Sequence, residues 1–184
     1  MLYPDDHNIY IIIQGIMIQN KLFSNHEKFS SDLIYTGHII QEIFQKGRSY
    51  NYCYEFTPLV NSYIISIPHQ LNHLYRHHIQ TYCNIHKSSQ INLLSLWIHK
   101  NIRNRILHLF LLLCEITGRS YNKSLILDIK LSYKLIATIT GSTRNTVSHI
   151  IKQLENDHII QYTQKYIIIH NIFILNTYTS NRMI

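Results

Sequence analysis

The segment that most restricts the fold is LIATITGSTRNTVSHI, residues 135–150, because it contains the only alanine among 184 residues. The chain is crowded with Ile, Asn and Tyr and short of Ala, Gly and Pro, which is typical of a strongly AT-rich gene. A small residue that persists against such a bias answers a steric need. Ala137 lies four residues before Gly141, and this spacing indicates two helices that cross closely at a tight turn.

The residues around this pair complete a helix-turn-helix pattern. Ser132 is placed to cap a short first helix, and Ser142 is placed to cap a second one. The second helix has an inward face of four apolar residues at helical spacing. The members of this face are Val147, Ile150, Ile151 and Leu154. Residues 132–155 are therefore predicted to form a helix-turn-helix, a motif that reads DNA in the major groove.

The opposite face of the second helix carries hydrogen-bond donors and no carboxylate before Glu155. A guanidinium can bond O6 and N7 of guanine together, so Arg144 is the candidate base reader, and Asn145 is placed to pair with adenine. Lys152 is expected to hold a phosphate. The full set of predicted DNA-binding residues is Ser142, Thr143, Arg144, Asn145, Ser148, His149, Lys152 and Lys165.

Two short strands are predicted after this helix, over residues 159–162 and 166–170, and such a hairpin makes the domain a winged helix. Lys165 lies at its tip. The charge around this domain also favours DNA binding. Residues 119–184 contain eight Lys and Arg and three Asp and Glu, which gives +5 of the chain's net charge of +7. A basic C-terminal half is expected to face a polyanion.

The earlier part of the chain divides into a β-rich and a helical region. Segments rich in β-branched and aromatic residues between positions 9 and 67 predict a small, mostly antiparallel β unit. Helices are predicted to begin near Pro68 and to cover residues 79–100 and 102–117, the last ending at Gly118 as a left-handed C-cap.

The helix predicted over residues 79–100 carries an apolar stripe with spacings of three and four. Its members are Ile91, Leu94 and Ile98. A stripe of this kind is either intramolecular core or a dimer seam.

Several classes of protein are disfavoured. No apolar run reaches the ~18–20 residues of a membrane span, and the N-terminus lacks a basic region followed by an apolar core, so we expect a soluble protein. Three widely spaced cysteines fit a reducing compartment. No phosphate-binding glycine loop, His-Glu-x-x-His segment or nucleophile elbow occurs, so we do not expect an enzyme.

Thirteen histidines raise a metal hypothesis. His69, His73 and His77 recur every four residues and would share one helix face, and such pairs can bind zinc. No cysteine or carboxylate lies near them in sequence to complete a site. A solvated or partly buried helix face is therefore the preferred interpretation, and no metal is expected.

The order of a β-rich unit, a long helix and a winged helix containing ITGSTRNTVSHIIKQLENDHII resembles the Crp-Fnr family of transcription regulators. Within that family, LDIKLSYKLIATITGSTRNTVSHIIKQL and YIIIHNIFIL are similar to the global nitrogen regulators of cyanobacteria and algal plastids. The resemblance implies an α+β fold in three parts: a partial β-roll effector-type domain over residues 1–78, a connecting and dimerisation helix over 79–100, and a winged-helix DNA-binding domain over 101–184.

The resemblance also implies a function. A homodimer would bind double-stranded DNA at a palindromic site and regulate nitrogen-responsive genes in a plastid, with RNA polymerase as a further partner. Arg144 matches the family's base-reading arginine. Asn145 and His149 depart from the residues that many relatives have there, which leaves the exact DNA sequence open.

The effector implied by the resemblance is 2-oxoglutarate. Gly37 matches a glycine of the effector loop and Arg48 lies near the β-roll arginine, but His86 and Ile91 replace the Arg and Glu of the long helix. The family's first strands have no counterpart before NIYIIIQGIMI, so either the β-roll is truncated or the true start lies upstream. The alternative from another class is a non-regulatory winged-helix module, such as a replication or RNA-binding factor without effector response.

Overall fold

Among the described residues, strands are the main regular structure of the first half of the chain, and helices are that of the second. The computed structural model describes residues 1–2, 7–40, 50–85, 90–122, 124–129, 131–163 and 165–170. The chain divides into two units, Met1–Asn92 and Leu93–Ile184. Antiparallel sheets occur together with helices, so the predicted α+β class is confirmed.

The first unit is built around two antiparallel sheets. In chain order its described strands are β1 (Ile9–Gln14), β2 (Ile16–Phe23), β3 (Lys28–Tyr35), β4 (Ile39–Ile40), β5 (Tyr52–Pro58), β6 (Tyr63–Ile67) and β7 (Gln90–Asn92). One sheet has the order β4-β1-β6 and the other β5-β2-β3-β7. Ile12 of the first sheet packs with Met17, Ile34 and Tyr54 of the second, so the apolar core of this unit lies between the sheets.

The helical segment of the first unit is shorter than predicted. It forms α1 (Asn72–Ile85), after which the chain adds β7 to the edge of the second sheet and then forms a 3₁₀ helix, Leu93–Ile98. Ile91 of β7 pairs with Leu33 of β3. The prediction of one helix over residues 79–100 is therefore wrong, because residues 90–92 pair with β3 in the sheet and residues 93–98 form a separate 3₁₀ helix.

The predicted apolar stripe is consequently not a helix face. Ile91 lies in a strand, while Leu94 and Ile98 lie in the 3₁₀ helix with 50% and 76% of their surfaces exposed. The predicted histidine face is also interrupted. His69 belongs to a 3₁₀ turn that precedes α1, whereas His73 and His77 lie on α1 itself.

The second unit is the helix-rich one. After the 3₁₀ helix, its described elements are α2 (Ile102–Thr117), β8 (Gly118–Tyr121), β9 (Ser124–Leu127), α3 (Tyr133–Thr140), α4 (Arg144–Asn156), β10 (Ile160–Tyr162) and β11 (Ile167–Ile169). The four strands form one antiparallel sheet in the order β10-β11-β9-β8. The buried face of α2 supplies much of the core through Ile106, Leu107, Leu109, Phe110 and Leu113.

The bounds of α2 agree with the prediction, but the reason for its terminal glycine differs. Gly118 has φ −60° and ψ 117°, which is extended backbone and not the left-handed cap that was expected. A Cβ at this position would lie 2.5 Å from the carbonyl oxygen of Cys114. Gly118 is therefore required by a close backbone approach. Among the described helices, none is both long and apolar enough to cross a membrane.

Candidate nucleic-acid interface

The first helix of the motif, α3, forms as its sequence predicts. The Ser132 side chain caps it by accepting a hydrogen bond of 3.1 Å from the amide of Leu135. Ala137 is buried, with 6% of its surface exposed, in a helix that packs directly on α4. Gly141 ends the helix in the left-handed conformation at φ +63° and ψ 46°. Both small residues thus have the steric roles that the sequence indicated.

The cap of the second helix is one residue later than predicted. Thr143 is the N-cap of α4, since its hydroxyl accepts a hydrogen bond of 3.2 Å from the amide of Thr146. The Ser142 hydroxyl lies 3.0 Å from that of Thr140, which already donates to the carbonyl of Ile136 at 2.8 Å. A hydroxyl has one hydrogen. Ser142 must therefore be the donor to Thr140, and its side chain is engaged within the turn.

The two faces of α4 are divided as the helical period predicts. Val147, Ile150, Ile151 and Leu154 are buried. Arg144, Asn145, His149 and Lys152 are exposed and Ser148 is half-buried. None of these five polar side chains forms a hydrogen bond or ion pair with another described residue. Their donors are therefore available to a partner outside the chain.

Glu155, the one carboxylate within α4, is used internally. Glu155 accepts a hydrogen bond of 3.0 Å from the backbone amide of Tyr162 through Oε1. This bond ties the end of α4 to β10. A negative charge that would repel a polyanion is in this way turned toward the protein backbone.

The wing follows the prediction closely, with β10 and β11 within one residue of the expected strands. Tyr162 anchors it, because its ring lies 5.1 Å from the ring of Tyr133 and its hydroxyl donates to the carbonyl of Leu131. Burial raises the pKa of Tyr162, so the phenol remains a donor. Lys165 lies at the exposed tip, two residues after Thr163. The Thr163 hydroxyl closes the turn by donating to the carbonyl of Tyr166 at 2.7 Å.

Two arginines of α2 reach the motif, and neither was predicted to take part. Arg103 forms an ion pair of 3.2 Å with Asp157, the C-cap residue of α4. Arg105 donates to the carbonyl of Thr140 at the end of α3. The one signal in the sequence is a pair of cations at the start of a mostly apolar helix, and local spacing does not show what such cations touch.

Only some of the residues expected to bind an effector lie among the described residues. Gly37 lies in the turn between β3 and β4 at φ +94°, and its amide donates to the carbonyl of Ile12 at 2.9 Å. That amide is thus used inside the first unit. Arg48 and His86 lie outside the described residues, and Ile91 pairs in β7.

Comparison with known proteins agrees with this geometry. Residues 104–178 match the family of Crp-like helix-turn-helix domains. The chain is similar to ycf28 of Porphyra purpurea, which is named as an HTH-type transcriptional regulator, with 28% identity over 202 residues that cover 99% of this chain and 79% of the relative. It is also similar to a global nitrogen regulator of Synechocystis, with 34% identity over 73 residues that cover 40% of this chain and 32% of the relative.

Solved structures extend the likeness of fold to both units. A CRP-family transcriptional regulator of Thermus thermophilus has a TM-score of 0.69 at 15% identity, covering 95% of this chain and 89% of that one. A CooA mutant of Carboxydothermus hydrogenoformans has a TM-score of 0.72 at 14% identity, covering 97% and 83%. Residues 104–178 therefore belong to the family of Crp-like helix-turn-helix domains, and the chain as a whole is similar to transcription regulators that contain this domain.

Proposed function

We propose that the chain acts as a homodimer that binds a palindromic DNA site through α4 of each subunit and thereby controls nitrogen-responsive genes. The observation that carries the proposal is the exposed face of α4, where five polar side chains have no partner among the described residues and no carboxylate competes. In such a dimer the two recognition helices lie about 34 Å apart, one helical turn of DNA.

The proposed contacts fall into two chemical groups. Arg144 reads guanine through O6 and N7, and Asn145 reads adenine through N6 and N7, because each pair of bonds identifies one base. Ser148 and His149 supply further donors to the groove. Lys152 and Lys165 hold phosphates together with the helix cap at Thr143, since the free amides at a helix N-terminus attract anions.

The regulated process and the compartment are inferred from different observations. Two relatives support nitrogen control, the Synechocystis protein described above and one from Synechococcus elongatus that is 22% identical over 184 residues, because both are named as global nitrogen regulators. A composition crowded with Ile, Asn and Tyr supports an organelle genome, and we propose the plastid. RNA polymerase is the proposed partner of the DNA-bound dimer.

Mapping the DNA segments bound by the chain across its source genome tests the proposal. We expect one palindromic sequence to recur upstream of nitrogen-assimilation genes, and the isolated chain to prefer that sequence over a scrambled duplex. Equal affinity for random DNA or for structured RNA would instead identify a non-regulatory nucleic-acid module.

A further inference from the structure

The turn between α3 and α4 is held from outside the motif by one side chain of α2. The Arg105 guanidinium donates through Nη1 to the carbonyl of Thr140 at 3.0 Å and through Nε to the carbonyl of His99 at 2.9 Å. Thr140 is the last residue of α3. A cation at this position also complements the negative end of the helix dipole. Arg105 thus joins α3 to the segment that precedes α2.

The same guanidinium stacks on the chain's only tryptophan. The Arg105 Cζ atom lies 4.4 Å from the ring centroid of Trp97. The Trp97 ring also packs against Gly141. A Cβ at position 141 would lie 2.4 Å from Cη2 of Trp97. Gly141 therefore meets two constraints together, its left-handed backbone and the ring above it. Trp97, Arg105 and the turn form one packed group, which we name the turn clamp.

We propose that Arg105 is a positioning residue for DNA recognition, which sets the orientation of α4 through the turn clamp without touching DNA. The inference rests on the proposed function of α4. Only Ser142 and Thr143 separate Gly141 from Arg144, so a displaced turn moves the base-reading side chain directly. Base readout depends on placing two donors on one base edge, whereas phosphate contacts tolerate displacement.

The charge and the geometry of Arg105 can be separated by substitution. Lysine keeps the charge but lacks the planar fork that bonds two carbonyls and stacks on a ring. Alanine removes both. Arg119→Ala is the matched control, because Arg119 is an exposed arginine of the same unit that is paired with Asp128 away from the turn. The operator is selected from random duplexes with the wild-type chain.

Binding titrations compare each variant on the operator and on a scrambled duplex, at a temperature where circular dichroism shows the variant folded. We expect Arg105→Ala and Arg105→Lys to lose about tenfold in operator affinity, the scale of one hydrogen bond to a charged group. On the scrambled duplex, Arg105→Lys should equal wild type and Arg105→Ala should equal Arg119→Ala. Trp97 fluorescence should become easier to quench with acrylamide in both Arg105 variants and remain unchanged in Arg119→Ala.

The outcomes separate this inference from the proposed function. If wild type shows no preference for any selected sequence, the proposed function fails. If wild type has the preference and folded Arg105→Lys retains it in full, Arg105 does not position α4. Equal losses of affinity on both duplexes would show that Arg105 contributes only its charge to DNA binding, and this result would also overturn the inference. Should Arg105→Ala not fold, Arg105→Lys decides the matter alone.

Discussion

At the scale of single residues, the exposed face of α4 separates base reading from phosphate holding. Arg144→Ala should lose about 1–3 kcal/mol of binding free energy on the operator and little on a scrambled duplex, because the lost bonds carry base identity. Lys152→Ala should weaken both duplexes similarly and reduce the salt dependence by about one unit of slope, because a phosphate contact releases counterions on any sequence. Titrations at several salt concentrations measure both effects.

Each variant is the control for the other, since both remove one exposed cation from the same helix. If Arg144→Ala weakened the two duplexes equally, Arg144 would be a phosphate contact. The assignment of base reading to this residue would then be wrong.

A second prediction at this scale concerns Ala137, which is buried where α3 packs on α4. Ala137→Leu should reduce the free energy of unfolding by about 1–3 kcal/mol, because a larger side chain overpacks a close crossing. Lys134→Leu enlarges the apolar surface of the same helix at an exposed position, and surface changes usually stay within about 0.5 kcal/mol. Urea unfolding of both variants provides the measurement, and an unchanged midpoint for Ala137→Leu would contradict the crossing.

At the scale of elements, a pair of histidines joins α2 to the segment before it. His99 Nε2 lies 3.0 Å from His108 Nδ1, with the rings edge to face. Burial lowers the pKa of His108 below 6.5, the nearby His99 lowers it further, and Glu115 opposes both. The folded unit therefore favours neutral His108, whereas the unfolded chain takes up a proton as the pH falls through 6.5.

The contribution of this pair to the free energy of unfolding should be fully present above pH 6.5 and should decline as the pH falls below that value. Unfolding followed by Trp97 fluorescence reports the second unit. His108→Gln should flatten the dependence on pH, because an amide can hydrogen-bond but does not titrate there. His149→Gln changes an exposed histidine of the same unit and should keep the wild-type profile. A wild-type slope in His108→Gln would show that other groups cause the dependence.

At the scale of the whole molecule, the prediction concerns assembly. Leu94 and Ile98 are largely exposed apolar residues of one short 3₁₀ helix. If they form the subunit contact of the proposed dimer, replacing both by Asp should give monomers by light scattering and abolish the gain in affinity from a second half-site. Tyr121→Asp adds one charge at an exposed aromatic residue in the same unit and should remain dimeric. A dimeric double variant would exclude this surface as the seam.

The helix-turn-helix and its wing are the parts that the sequence by itself determined. The cap at Ser132, the left-handed Gly141 and the apolar period of α4 are all interactions between residues close in the chain. Local backbone preferences and the helical repeat decide such features, so they can be predicted from the sequence of the segment itself. The basic outward face followed from the same period.

Only the tertiary structure decided the features that depend on residues distant in sequence. One local feature was also decided only in the fold: the cap of α4 lies at Thr143 and not at Ser142, because the Ser142 hydroxyl donates to that of Thr140, two residues earlier. The predicted helix over residues 79–100 does not form, because Ile91 pairs in an antiparallel sheet with Leu33, 58 positions earlier. Arg105 reaches a carbonyl 35 residues away. Helical periodicity in a sequence shows which side chains share a face of a helix. It does not show which strand edge or carbonyl elsewhere in the chain competes for the segment, because these are brought near it only by folding.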